Sequence, residues 1–116
     1  MSTSLDLAKR IAAAADNKKA RDIVLMKMID LTTATDYFVV CSANTVIQTR
    51  AIADEIEDEL AEEGIEFRHK EGYREGEWIL MDYGDVVAHI FTGDAREYYA
   101  LETLWRDAEL TSYEDE

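Results

Sequence analysis

The chain has 116 residues, 47% of them hydrophobic, with six Tyr, three Phe and two Trp, which fits one domain with its own apolar core and excludes a disordered chain. Its formal net charge of -14 is regional: residues 1 to 50 carry seven Lys or Arg against five Asp or Glu, and residues 51 to 116 carry five against 21. Such a surface repels phosphate backbones and either favours a basic protein partner over direct nucleic-acid binding or serves only to keep a small protein soluble; no apolar run approaches the ~20 residues of a membrane span and no leader pattern opens the chain, so a cytoplasmic protein is expected.

Leu5, Ala8, Ile11, Ala12 and Ala15 fall on one face of a first helix, which Asp16-Asn17-Lys18-Lys19 ends. Ile23 to Met26 is a branched apolar run suited to a buried strand, and Asp30 to Asp36 is turn chemistry. Tyr37 to Cys41 is a second strand, and both strands are expected at the centre of a sheet. Cys41, the single cysteine, reads as a reduced core thiol and points to a reducing compartment.

Thr45 and Gln48 have capping-box spacing, and Gly64 sits where a helix ends in a left-handed residue. Between them Val46, Thr49, Ile52, Ala53, Ile56 and Leu60 face the core, and Asp54, Glu55, Glu57, Asp58, Glu59, Glu62 and Glu63 face water. Phe67 opens a short strand. Trp78 to Tyr83, Gly84-Asp85 and Val86 to Phe91 form a hairpin with Trp78 opposite Phe91, Leu80 opposite His89 and Asp82 opposite Val87. Its other side, with Ile79, Met81, Tyr83, Val86, Ala88 and Ile90, is greasier. One helix from Asp94 to about Trp105 aligns Tyr98, Leu101 and Trp105, and an acidic, frayed tail over 109–116 follows a domain over 1–108. The order α-β-β-α-β-β-β-α predicts a single mixed α/β domain, a mixed sheet with helices packed on it.

Chemistry is scarce in this pattern. Two histidines, no G-x-S-x-G elbow, no phosphate-binding glycine motif and no zinc-like spacing leave no catalytic, metal or cofactor signature. Asp82 and Asp85 flank a turn and lack the D-x-D spacing by which adjacent carboxylates share a metal; ligation by this pair, in a metal-dependent nucleotidyl or phosphoryl transferase, is the enzymatic alternative. His89 reads as a satisfied strand histidine or as part of a patch with Trp78, Asp82 and Phe91, the composition of a protein-binding surface. The patch exists only if the chain's own helices leave that face open. An acidic homodimeric adaptor for some other basic client also fits the composition.

Thr35-Asp36-Tyr37-Phe38-Val39-Val40, Ala51-Ile52-Ala53-Asp54-Glu55-Ile56, Lys70-Glu71-Gly72-Tyr73 with Trp78, Asp82-Tyr83-Gly84-Asp85-Val86-Val87 with His89 and Phe91, and Arg96, Tyr99, Leu101-Glu102 and Leu104-Trp105 together resemble the ribosomal silencing factor, or Iojap-like, family over residues 5 to 106. The resemblance implies a five-stranded mixed sheet similar to a nucleotidyltransferase core without its catalytic signature. It also implies a non-enzymatic factor that binds the large-subunit ribosomal protein uL-fourteen, covers an intersubunit bridge, keeps the small subunit from joining when nutrients are scarce, and is a homodimer when free. Of the family's motif positions, Glu71, Trp78, Asp82, Asp85, His89 and Tyr99 are the expected partner-binding residues, Gly84 serves the turn, and Leu101 and Trp105 pack the last helix. Asn44-Thr45-Val46-Ile47 and the acidic end depart from the family pattern.

Overall fold

The structure, a computed structural model, describes residues 3–113. Helix α1 (Ser4–Asn17) opens with a capping box in which the Asp6 amide donates to Thr3 Oγ1 at 3.1 Å and the Thr3 amide to Asp6 Oδ2 at 3.3 Å. Its alanine-rich stripe is buried at Ala8, Ile11, Ala12, Ala14 and Ala15. Strands β1 (Arg21–Lys27) and β2 (Tyr37–Ala43) run antiparallel at the centre of the sheet. Helix α2 (Val46–Ala61) starts where Thr45 Oγ1 accepts the Gln48 amide at 3.1 Å. It ends at left-handed Gly64, with the Ile65 amide on the Leu60 carbonyl and the Gly64 amide on that of Ala61, the pairing that satisfies a helix's last carbonyls.

Strands β3 (His69–Glu71), β4 (Trp78–Asp82) and β5 (Val86–Thr92) form a meander, and β5 lies parallel to β2. The hairpin register is the predicted one, with Trp78 opposite Phe91, Leu80 opposite His89 and Asp82 opposite Val87. Alternation along these strands divides the core in two. Ile23, Leu25, Val39, Cys41, Ile79, Met81, Val86, Ala88 and Ile90 are buried under α1 and α2. Met26, Val40 and Phe91 on the opposite face are buried with Ala95 and Leu101 of the C-terminal helices, against half-buried Phe38, Trp78 and Trp105.

Four expectations need correction. The sheet has six strands in the order β3-β4-β5-β2-β1-β6, not five, because β6 (Glu109–Ser112) pairs antiparallel with β1, from Lys27 with Glu109 to Val24 with Ser112. The stretch read as the start of a frayed tail is thus an edge strand occupying β1's free side, and the remaining acidic residues, 114–116, lie outside the described residues. The terminal helix is two: α3 (Gly93–Tyr99) and α4 (Leu101–Leu104), separated by Ala100 in the left-handed region at φ 48°, which takes Tyr98 out of line with Leu101. Phe67 precedes β3 rather than opening it, and packs edge-on against Tyr83 with ring centres 6.4 Å apart. Finally, the carboxylates of α2 and of the turn after it have neighbours as well as water: Lys18 for Glu55 at 4.0 Å, Arg10 for Glu63, Asn17 for Glu59 at 2.8 Å, Lys70 for Glu57 at 3.0 Å and the Tyr73 hydroxyl for Asp54 at 3.1 Å. Pairs this exposed add little stability each.

Candidate functional site

The expected partner-binding residues divide along the second face. Trp78 begins β4 and is held from behind by the loop over residues 72–76. Gly72 has φ 79°, and a Cβ there would stand 2.0 Å from the Trp78 carbonyl oxygen, so only glycine lets the loop close on this strand. The Trp78 ring stacks on Phe91 at 5.1 Å and meets the Tyr99 ring at 4.5 Å, and its Nε1–H donates to His89 Nδ1 at 3.1 Å. These contacts leave Trp78 half-buried and Tyr99 45% exposed.

His89 is the exception to the expected open face. It is 4% exposed, enclosed by Phe38 at 4.5 Å, Trp78 at 5.9 Å and Phe91 at 6.3 Å. Burial lowers its pKa from 6.5 to about 4, so the ring is neutral near pH 7. With Nδ1 accepting from Trp78, the proton resides on Nε2, which is buried without a hydrogen-bond partner among the described residues. His89 therefore supports the surface from beneath and does not itself touch the outside. Alternation correctly placed it on this face; what strand spacing lacked was the closing of the Phe38, Trp78 and Phe91 rings, from three strands, around it.

The rest of the face is more open. Leu80, Asp82 and Val87 are half-buried, and Glu71, opposite Leu80 on edge strand β3, is exposed and paired with His69. Asp82 Oδ1 accepts the Gly84 amide at 2.7 Å, and Gly84 takes the positive φ of 91° that the two-residue turn requires. Asp85 is exposed at that turn, and its carbonyl receives the Asp36 and Tyr37 amides at 2.8 and 3.2 Å. Trp78 and the turn are at opposite ends of the hairpin, roughly 14 Å or more apart at a strand's rise per residue. The surface thus has an aromatic end, Trp78 with Tyr99, and an acidic end, Asp82 with Asp85, joined by Leu80 and Val87.

Two further exposed side chains lie on the C-terminal helices. Tyr98 is 81% exposed, its ring 5.0 Å from Tyr99, and Leu104 is 70% exposed beside half-buried Trp105, whose ring meets Phe38 at 6.3 Å. Helical spacing aligned Tyr98 with Leu101 and Trp105; the left-handed break at Ala100 ends that alignment, and Tyr98 is at the surface.

No group of three or more His, Cys, Asp or Glu among the described residues is placed to hold a metal ion. Burial pushes the Cys41 thiol up to about 12, with Arg96 opposing weakly, so it is protonated and poorly nucleophilic. A cavity of about 630 Å³ opens at the carboxyl ends of parallel β2 and β5, where open α/β sheets commonly bind ligands. Its charged walls include Arg21, Asp22, Asp94, Arg96, Glu97 and Glu102. The guanidinium of Arg96 is engaged by Glu102, and that of Arg21 by Asn44 Oδ1 at 2.6 Å. No helix among the described residues is long and apolar enough to cross a membrane.

The family model described as "Ribosomal silencing factor during starvation" matches residues 1–116. The ribosomal silencing factor RsfS of Bacillus subtilis (strain 168) is 47% identical over 102 residues, 88% of this chain and 86% of the relative. A crystal structure of a Chromobacterium violaceum protein superposes with a TM-score of 0.88 at 30% identity, covering 90% of this chain and 88% of the other. One from Bacillus halodurans gives 0.81 at 38% identity, covering 96% and 99%. A match over the full length, supported by a relative sharing nearly half its residues and by two superposable structures, shows that the chain belongs to the ribosomal silencing factor (RsfS) family.

Proposed function

We propose that this chain docks on the large ribosomal subunit, against protein uL-fourteen, and by covering an intersubunit bridge prevents the small subunit from joining, lowering translation when nutrients are scarce. The observation that carries the reading is the half-exposed Trp78–Tyr99 pair, extended by exposed Tyr98 and continued by the carboxylates of Asp82, Asp85 and Glu71. Aromatic anchors supply area at low entropic cost, and the acidic end complements a basic ribosomal protein. The action is steric, in the cytoplasm, and needs no catalytic group or cofactor. Occupancy alone sets its extent. When free, the chain forms a homodimer through the same apolar end, the portion of its surface with most to gain from cover.

Co-sedimentation with separated subunits tests the reading. Protein should pellet saturably with large subunits and not with small ones. Trp78→Ala, in protein that still unfolds cooperatively, should weaken that binding about 30-fold, the loss of a central anchor worth about 2 kcal/mol. Absence of binding to large subunits would remove the proposal.

A further inference from the structure

We propose that Arg96 is the positioning residue of the docking surface: its guanidinium holds α3 and α4 against the sheet so that Tyr99 stays seated on Trp78. The inference rests on the docking reading above and concerns a residue that contacts no partner itself.

The side chain of Arg96 is 13% exposed and makes four hydrogen bonds to three partners. Nε and Nη2 donate to Glu102 Oε2 at 3.2 and 2.6 Å, and Nη1 donates to the Asp22 carbonyl at 2.7 Å and to Ser42 Oγ at 3.2 Å. One planar group therefore joins α3, α4, β1 and the end of β2. Its acceptor on β1 is a special one. The β1–β2 register shifts between Arg21 and Val24, and Asp22 lies in that irregularity at φ 51°, so its carbonyl is presented to Arg96 rather than to a neighbouring strand.

Besides this clasp the helices rest on the Thr92 cap of α3, the rings under Tyr99 and one buried core residue apiece. α3 has seven residues and buries Ala95; α4 has four and buries Leu101. Helices this short have no stability of their own. Ala100 between them is in the left-handed region, unfavourable for a residue with a Cβ, so the bend must be imposed by its surroundings. Tyr99 immediately precedes that bend, and its ring is placed 4.5 Å from Trp78 and 6.2 Å from Phe91. Arg96 precedes Tyr99 by one helical turn. Fixing the rotation of α3 at Arg96 fixes where Tyr99 points, and with it the outer wall of the pocket in which Trp78 donates to His89. Lysine cannot substitute, because a single ammonium lacks the fork that engages Glu102 and the Asp22 carbonyl together.

A role in stability alone would predict a weaker fold and nothing more, so the test needs readouts at the surface. Arg96→Lys and Glu102→Gln are compared with the wild type and with Ile56→Val, which weakens the opposite core. In ¹H–¹⁵N spectra the Trp78 indole N–H, assigned with Trp105→Phe, should shift and exchange with solvent about tenfold faster in both clasp variants, and affinity for isolated large subunits should fall about tenfold. Ile56→Val should move neither. Clasp variants that lose stability as Ile56→Val does, with indole signal and affinity unchanged, would overturn the proposal. Should Arg96→Lys not fold, Glu102→Gln decides, since it keeps the arginine and its bonds to Asp22 and Ser42. If wild-type protein does not bind large subunits the docking reading falls, and the indole signal still judges the clasp.

Discussion

The two faces of this sheet differ in how they are covered. Under α1 and α2, side chains such as Ile52, Ile56, Ile79, Met81 and Ile90 are within 1% of complete burial, and helices of 14 and 16 residues cover them. On the other face, helices of seven and four residues reach only one end, with Phe91 fully buried, Trp78 partly so, and Leu80, Asp82 and Val87 still in contact with water. The first face makes the fold; the second makes a surface. Stability and docking should therefore be separable by mutation.

The largest expected effect lies on the sealed side. Ile56→Ala removes buried methylenes from a site with no room to collapse and should cost about 2–5 kcal/mol in urea unfolding, while protein that remains folded keeps its affinity for large subunits. Lost affinity without lost stability would mean that the two faces are not independent.

Next comes the pH response of His89. The unfolded chain takes up its proton near pH 6.5, whereas the folded one does so only near pH 4, so between those values the unfolded state binds more protons and acid favours it. Stability should be at its full value above pH 7 and decline as the pH falls toward 4, by up to about 3 kcal/mol for a shift of this size. Urea midpoints between pH 7 and 5 should show the slope in wild-type protein, and His89→Gln should flatten it. An equal slope in both would place the titration elsewhere.

Smaller effects belong to the open face. Tyr98→Ala should leave the unfolding midpoint within error, because the ring is 81% exposed, yet weaken docking by about 1 kcal/mol. Ala100→Gly relieves a left-handed alanine and should raise stability by about 0.5–1 kcal/mol without changing affinity. A thermal scan with a co-sedimentation titration measures both.

The contrast between faces also separates what the sequence revealed from what it hid. Period-two alternation from Trp78 to Phe91 and a two-residue turn with glycine were enough for the hairpin register, and the stripe from Thr49 to Leu60 was enough for α2, because local periodicity and burial agree there. β6 was hidden because a four-residue edge strand, exposed throughout, carries no alternation of burial to read. The break at Ala100 was hidden for a different reason: alanine is a strong helix former, and its left-handed backbone is imposed by tertiary contacts that include Arg96 with Glu102. Trp78, Asp82, Glu71 and Tyr99, the residues proposed to meet the partner, were singled out through their resemblance to family motifs, and each is at least partly open to solvent. The enclosure of His89 depends on how rings from three strands close around it, and the exposure of Tyr98 on the break at Ala100, which no local pattern specifies.

Subunit joining measures the central claim most directly. Small and large subunits mixed in the presence of rising protein, followed by light scattering, should show joining suppressed saturably, with Tyr98→Ala requiring several-fold more protein for the same suppression and Trp78→Ala about 30-fold more. Unimpaired joining at a protein concentration that fully occupies the large subunits would contradict the account.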